Sequence, residues 1–292
     1  MVQNRIKIVA PSGVIDSRWI DEASMRLRRW GWKVAEGAHA RCCCGRFAGT
    51  DAERLQDLND AFRDTETDII LCARGGYGLQ RIIGSVEPTN KTVVGFSDIT
   101  ALHQVMLKKG FVSLHGLMCK HIAELPEEGE ELLHWREAIS GRSLCYELAS
   151  HPLNREGEVT GKVVGGNLSV LYGLQGTPWS LDMVIESLQE RPILFIEDIV
   201  ERHYHIDRMM QNLRLSGVLA KINGLIVGQF TDCDADETMG ESIYETILRA
   251  TEGYDFPILF DFPAGHVEHN LPLWLGKPTT LQVGRSVIFK QK

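Results

Sequence analysis

Residues 92–108 read Thr-Val-Val-Gly-Phe-Ser-Asp-Ile-Thr-Ala-Leu-His-Gln-Val-Met-Leu-Lys. A β-branched apolar run enters a turn at Gly95-Phe96-Ser97-Asp98, and apolar residues at helical spacing leave it. A strand feeding a helix through a tight turn is the repeating unit of a parallel sheet covered by helices. The unit recurs upstream. Residues 5–10 predict a buried strand that stops at Pro11-Ser12-Gly13, and 17–30 predict a helix ended by Gly31. Residues 32–35 predict a second strand. Thr50 is placed to cap a helix over 51–63, with Glu53 as its capping-box partner. Residues 68–73 predict a third strand and 112–114 a fifth.

The downstream half reads differently. Residues 125–131 are acidic and polar, and 140–152 show no clear period. Strands are expected at 158–164, 193–196, 224–230 and 279–289, with one good helix at 205–215. The expected fold is therefore α/β: an N-terminal parallel-sheet α/β sandwich over 1–120, a linker over 121–160, and a smaller β-rich domain over 161–292. No internal repeat or low-complexity tract is evident.

Composition narrows the function. The 292 residues carry 31 Lys and Arg against 39 Asp and Glu, a net charge of -8, with no basic block. Nucleic acid is not expected as a partner, because phosphate binding needs clustered cations. The opening apolar run is short and meets Pro11 and Gly13 at once, so no export leader is expected. No run approaches the roughly 18 apolar residues of a membrane span. The seven cysteines are odd in number and scattered, which fits reduced thiols in the cytoplasm. Adjacent Cys42, Cys43 and Cys44 point apart, so no metal site is expected there.

In a parallel α/β sheet, ligands bind beyond the carboxyl ends of the strands. Three loops should open there: Pro11-Ser12-Gly13, Arg74-Gly75-Gly76-Tyr77-Gly78, and Gly95-Phe96-Ser97-Asp98. A serine at a strand-to-helix turn stands clear of the sheet, beside helix N-terminal amides able to stabilise an oxyanion. A serine there also caps helices, so Ser97 is either nucleophile or cap. The three glycines at 75, 76 and 78 let backbone approach a ligand closely, though the pattern matches no nucleotide-binding loop. Glu197 and Asp198 end an apolar strand, where a carboxylate must be paired or functional. His203 and His205 are wrongly spaced for a helical metal pair. Either His266 or His269, in a Gly- and Pro-rich loop, could serve as general base. Serine, carboxylate and histidine together can activate a hydroxyl.

In order and spacing, the chain resembles the LD-carboxypeptidase (muramoyltetrapeptide carboxypeptidase) family, which includes the microcin C immunity hydrolases. The matching segments are APSG at 10–13, ARGGYG at 73–78, GFSD at 95–98, LHG at 114–116, GGNL at 165–168, FIED at 195–198, YHIDRM at 204–209, GLIVGQF at 224–230, FPAGH at 262–266 and LPLWLG at 271–276. The resemblance implies an active site between two domains and a catalytic triad of Ser97, Glu197 and His266. It implies an oxyanion hole from the N–H groups of Gly76 and Asp98. It also implies a homodimer, a small peptide substrate, and neither metal nor organic cofactor. The expected reaction cleaves the amide between an L-centre and a terminal D-Ala of cytoplasmic muropeptides, with Arg74 or Arg202 holding the terminal carboxylate. The alternative within the family is cleavage of peptidyl- or aminoacyl-nucleotides, with Trp179 or Trp274 as a shelf for the base. A non-catalytic two-domain binding protein is the alternative of another class. Leu117 stands where the family commonly has Pro, and Val267 where it often has Gly. Both departures bear on the substrate pocket and not on the triad.

Overall fold

The computed structural model describes residues 5–233 and 236–291. The first four residues of the stretch read for a leader lie outside them. The expected alternation is present as β1 (Arg5–Val9), α1 (Ser17–Arg29), β2 (Lys33–Glu36), α2 (Asp51–Arg63), β3 (Ile69–Cys72), β4 (Thr92–Gly95), α3 (Thr100–Lys108) and β5 (Ser113–His115). These strands lie in the order β2-β1-β3-β4-β5, all parallel. β3 is buried at all four positions and β4 at three of four, as strands covered on both faces must be. The predicted capping box closes α2: Thr50 Oγ1 accepts from the Glu53 N–H at 3.3 Å, and Glu53 Oε2 from the Thr50 N–H at 2.7 Å.

The segment expected as a linker is structured. It holds α4 (Cys119–Glu124), α5 (Glu130–Ile139) and β6 (Leu144–Ala149). The acidic run that suggested a linker starts a helix: Glu130 and Glu131 sit in the first turn of α5, where the helix dipole favours negative charge. β6 opens with alternating buried and exposed residues, Leu144 and Tyr146 inward, Cys145 and Glu147 outward.

Beyond it come β7 (Gly157–Asn167), α6 (Leu168–Gly173), α7 (Leu181–Leu188), β8 (Ile193–Ile199), α8 (His203–Leu215), β9 (Gly224–Thr231), α9 (Ile243–Ala250), β10 (Ile258–Leu259), β11 (Leu273–Leu275), β12 (Pro278–Val283) and β13 (Ser286–Gln291). The second sheet runs β10-β9-β8-β7-β12-β13-β6. Its first four strands are parallel and its last three antiparallel. The half expected to be β-rich with one helix thus carries α6, α7 and α9 besides α8. The apolar run at 279–289 is a hairpin of two strands.

The halves interlock. β11 pairs antiparallel with β5, Leu273 opposite His115, so residues from the C-terminal half complete the first sheet. One hydrophobic core runs from Ile6 and Leu71 through Trp135 to Phe195 and Phe289. A smaller one lies under α2 and α3, around Leu58, Phe62, Leu102 and Met106. The ends of β3, β4 and β8 are thereby fixed against one another.

Candidate active site

Ser97 follows β4 with a backbone φ of 65°, in the left-handed region. A non-glycine residue there costs about 1–3 kcal/mol and persists only where the surroundings over-determine it. The surroundings do so here. Gly95 before it leaves no room for a side chain: a Cβ would stand 3.0 Å from Ile99 Cγ1 and 3.2 Å from Cys72 Cβ. Asp98 after it is buried and accepts the Leu79 N–H at 2.9 Å; burial raises its carboxyl pKa. Neither the 3-10 turn Ser97–Ile99 nor α3 has a side-chain cap hydrogen bond. The cap positions are held by Phe96 and Ile99, so Ser97 is the cap residue of neither segment.

The glycine loop after β3 comes against this turn. A Cβ on Gly75 would meet Ser97 Cβ at 2.8 Å, so only glycine permits the approach. Gly76, at φ 103°, turns the chain beside Gly13, whose N–H donates to the Gly75 carbonyl at 3.0 Å. The N–H of Asp98, in the opening turn of the 3-10 segment, lies where no intrahelical acceptor exists.

The other half of the site comes from the second sheet. Glu197 on β8 is fully buried, and its Oε2 lies 2.9 Å from His266 Nδ1, across 69 residues of sequence. A bulge prepares the contact: Ile196 pairs with Val227 and Asp198 with Phe230, so Gly228 and Gln229 together oppose Glu197. The histidine loop packs into that bulge. The Gln229 N–H donates to the Ala264 carbonyl at 3.0 Å, and a Cβ on Gly228 would stand 2.5 Å from the same oxygen. Gly265, at φ 135°, would place a Cβ 3.0 Å from Glu197 Oε2. Two glycines thus let the loop lie on the carboxylate. Asp198 has a different employment. It accepts from Asn167 Nδ2 and the Ser169 N–H, both at 2.8 Å, fastening β7 and the start of α6. Burial, and then the charge of Glu197, push its carboxyl up to about 7.

Ser97 and His266 line one cleft of about 910 Å³, together with Arg74, Gly75, Gly76 and Phe96. The Phe96 ring meets the His266 ring edge-on at 5.0 Å. Val267 and Glu268 line the same cleft, as do Trp19, Lys120, His121 and Glu124, which sequence reading had not singled out. The last four come from α1 and α4, and nothing local in the sequence says that α4 lines the cleft of Ser97.

Other candidates fall elsewhere. Arg74 lines the cleft, one guanidinium N–H on the Val14 carbonyl at 2.7 Å, whereas Arg202 is not among the lining residues. Trp274 is buried in the main core, and Trp179 packs on the smaller one; neither lines the cleft. His269 is held by Glu131 at 2.6 Å. His203 bonds Thr246 Oγ1 at 2.7 Å and His205 bonds Glu201 at 3.1 Å, so the two do not converge. Cys43 and Cys44 are exposed, Cys42 half-buried, and all three are free thiols. Among the described residues no group of three or more His, Cys, Asp or Glu could hold a metal ion, and no helix is long and apolar enough to cross a membrane. Leu117 is buried, without a place in the cleft lining, while Val267 is part of it.

A strained serine, a histidine braced by a buried carboxylate, and free backbone amides are the parts with which a serine hydrolase works. Residues 6–116 match the LD-carboxypeptidase N-terminal domain and residues 160–281 the LD-carboxypeptidase C-terminal domain. The chain belongs to the LD-carboxypeptidase family. A probable murein peptide carboxypeptidase of Bacillus subtilis is 30% identical over 93% of this chain and 86% of its own. The crystal structure of a muramoyltetrapeptide carboxypeptidase from Oxalobacter formigenes superposes with a TM-score of 0.87 at 27% identity, covering 99% of this chain and 98% of that one. The microcin C7 self-immunity protein of Escherichia coli is 25% identical over 86% of this chain and 81% of its own.

Proposed function

We propose that the protein is a cytoplasmic serine carboxypeptidase that removes the terminal D-Ala from muropeptides in cell-wall peptide recycling. One observation carries the mechanism: Ser97, strained at φ 65°, shares a cleft with His266, whose Nδ1 is held 2.9 Å from the buried Glu197 carboxylate. Glu197 fixes the tautomer with the proton on Nδ1 and leaves Nε2 basic. His266 takes the Ser97 proton as Oγ attacks the scissile carbonyl. The N–H groups of Gly76 and Asp98 receive the oxyanion, each such donor contributing about 3 kcal/mol. His266 then protonates the departing amine, and water releases the acyl-enzyme. Arg74, a cation of the cleft lining, is assigned the terminal carboxylate, and the family's homodimer is the proposed assembly.

The test is incubation with L-Ala-γ-D-Glu-meso-diaminopimelate-D-Ala, following D-Ala release by mass spectrometry beside Ser97→Ala. Release by the unaltered protein alone supports reaction and nucleophile together. Release by both would remove Ser97 from the mechanism. The similarity to the microcin self-immunity protein keeps one second reading, cleavage of an aminoacyl-nucleotide. Turnover of an aminoacyl-sulfamoyl adenosine with no peptide cleavage would establish it. Trp179 and Trp274 lie outside the cleft lining and give that reading no base shelf; Trp19 is the indole within it. Stoichiometric binding of either ligand without turnover would point to the non-catalytic alternative.

A further inference from the structure

The Ser97 turn keeps its shape through near neighbours, but its place relative to Glu197 depends on the other half of the chain. Among the described residues, α3 reaches that half through three hydrogen bonds. At the far end of the helix Lys108 Nζ donates to the Pro178 carbonyl. Gln104 Nε2 donates to the Gly165 carbonyl at 3.3 Å, and Thr100 Oγ1 accepts the Asn167 N–H at 2.9 Å. Thr100 and Gln104 are both fully buried.

Of the three, Thr100 is the one joined to the catalytic groups on both sides. Its N–H donates to the Ser97 carbonyl where the 3-10 turn passes into α3. Its hydroxyl receives the N–H of Asn167, and Asn167 on β7 is paired with Glu197 on β8. One line of contacts therefore runs from Ser97 through Thr100, Asn167 and Glu197 to His266. The strand is shaped for this approach. Gly166, at φ 137°, would place a Cβ 2.5 Å from Thr100 Oγ1, and a glycine inside a strand marks a place where another segment comes close. Gln104, one helical turn on, bonds instead to Gly165, which is paired with Phe195 of the core.

We propose that Thr100 is a positioning residue for the hydrolysis: its hydroxyl sets the separation of Ser97 Oγ and His266 by fastening the serine turn to the strand beside Glu197. The inference rests on the reading of Ser97, Glu197 and His266 as a triad and goes beyond it, because Thr100 is buried and does not line the cleft. Catalytic groups work when their supports hold them to within about 0.5 Å. Without the hydroxyl, the buried Asn167 N–H loses its acceptor on α3, and turn and strand are free to separate. Valine has nearly the shape of threonine, so replacing Thr100 with it removes the oxygen and keeps most of the packing.

The experiment measures kcat and KM for D-Ala release from L-Ala-γ-D-Glu-meso-diaminopimelate-D-Ala, and the rate at which a fluorophosphonate labels Ser97. Labelling needs the serine and its base but no peptide site, so it reads the separation of the two even where the peptide is not cleaved. Thr100→Val should lower kcat and the labelling rate together, by about 10- to 100-fold, with KM changed by about twofold at most. Thr100→Ser keeps the oxygen and should stay within about threefold of the unaltered protein in both rates. Gln104→Leu removes the neighbouring bond to the same strand; it should lower Tm and leave kcat within about threefold. Where the valine variant does not fold, Thr100→Cys puts a weak acceptor in the same place and should lower both rates by about tenfold. Full rates in the valine or cysteine variant, or an equal loss in Thr100→Ser or Gln104→Leu, overturn the proposal and leave the carboxypeptidase reading intact. Labelling of Ser97 without peptide cleavage by the unaltered protein overturns the carboxypeptidase reading alone, and absence of labelling overturns both.

Discussion

The serine side and the histidine side of this cleft are built on opposite plans. Ser97 lies within one contiguous strand–turn–helix, β4 to α3, and the groups that hold its strained turn, Cys72, Gly75 and Leu79, lie within 25 residues of it. His266 lies on a loop whose position depends on a bulge between β8 and β9 and on a carboxylate 69 residues away. A local device needs few partners to hold its shape. A long-range device needs each glycine that lets its parts approach. The two sides should therefore fail differently.

The largest effect is expected from Ser97→Ala, a loss of about 10⁴-fold or more in kcat with the fold retained. Ser97→Gly sharpens the point. It should abolish turnover equally, yet release backbone strain and raise Tm by about 2 °C, as a gain of about 1 kcal/mol does in a chain of this size. A lowered Tm would show that the turn is not strained. Glu197→Gln should lower kcat by up to about 10⁴-fold, because the amide cannot hold the required tautomer. Rates near those of the unaltered protein would remove Glu197 from the mechanism.

Gly265→Ala tests the long-range plan directly. Its Cβ would stand 3.0 Å from Glu197 Oε2 at a φ of 135°, so the loop must shift and carry His266 with it. We expect kcat/KM to fall about 10²-fold, the scale of a misplacement near 1 Å. A crystal structure of the variant should show the Ser97 turn undisturbed. Unchanged activity would mean that the 2.9 Å contact is not needed.

The smallest effect concerns pH. His103 is buried beneath the serine turn, bonded to the Gly95 carbonyl at 2.9 Å, and burial holds its pKa down to about 4 from an ordinary 6.5. With the folded pKa depressed, its contribution to stability is complete above pH 6.5 and is lost as pH falls through 4. Asp198, raised to about 7, acts with the opposite sign over much of the same window. Tm against pH for His103→Gln should therefore fall less steeply below pH 6.5 than for the unaltered protein, and the difference between the two curves isolates the histidine. Parallel curves would show that His103 takes up its proton over the same pH range in the folded and unfolded states.

The same contrast explains what could be read from the chain. The strands and helices around Ser97 were legible because periodicity, a capping box at Thr50 and Glu53, and glycine stops are local signals. α9 was missed although Ser242 and Glu245 form a second capping box, a signal open to the same reasoning. α5 was hidden by the acidic run that starts it, since charges that suggest a solvated linker also suit a helix N-terminus. Trp179 and Trp274 were candidates by residue type alone, and packing assigned them elsewhere.

By itself the sequence determined the α/β alternation, the strand-to-helix turn at Ser97 and the motifs of the family, because each is a matter of residues a few positions apart. It could not show that His266, and not His269, is the histidine held by Glu197. Two of the protein's histidines share one loop, and only the bulge opposite Glu197 and the nearness of Glu131 to His269 separate them. Nor could it show that α1 and α4 wall the cleft, or that β11 returns to complete the first sheet. Those features join segments far apart in the chain, Ser113 to Leu275 in the β5–β11 pairing and Trp19 to His266 across the cleft, and contacts at that range are set by the packing of one shared core.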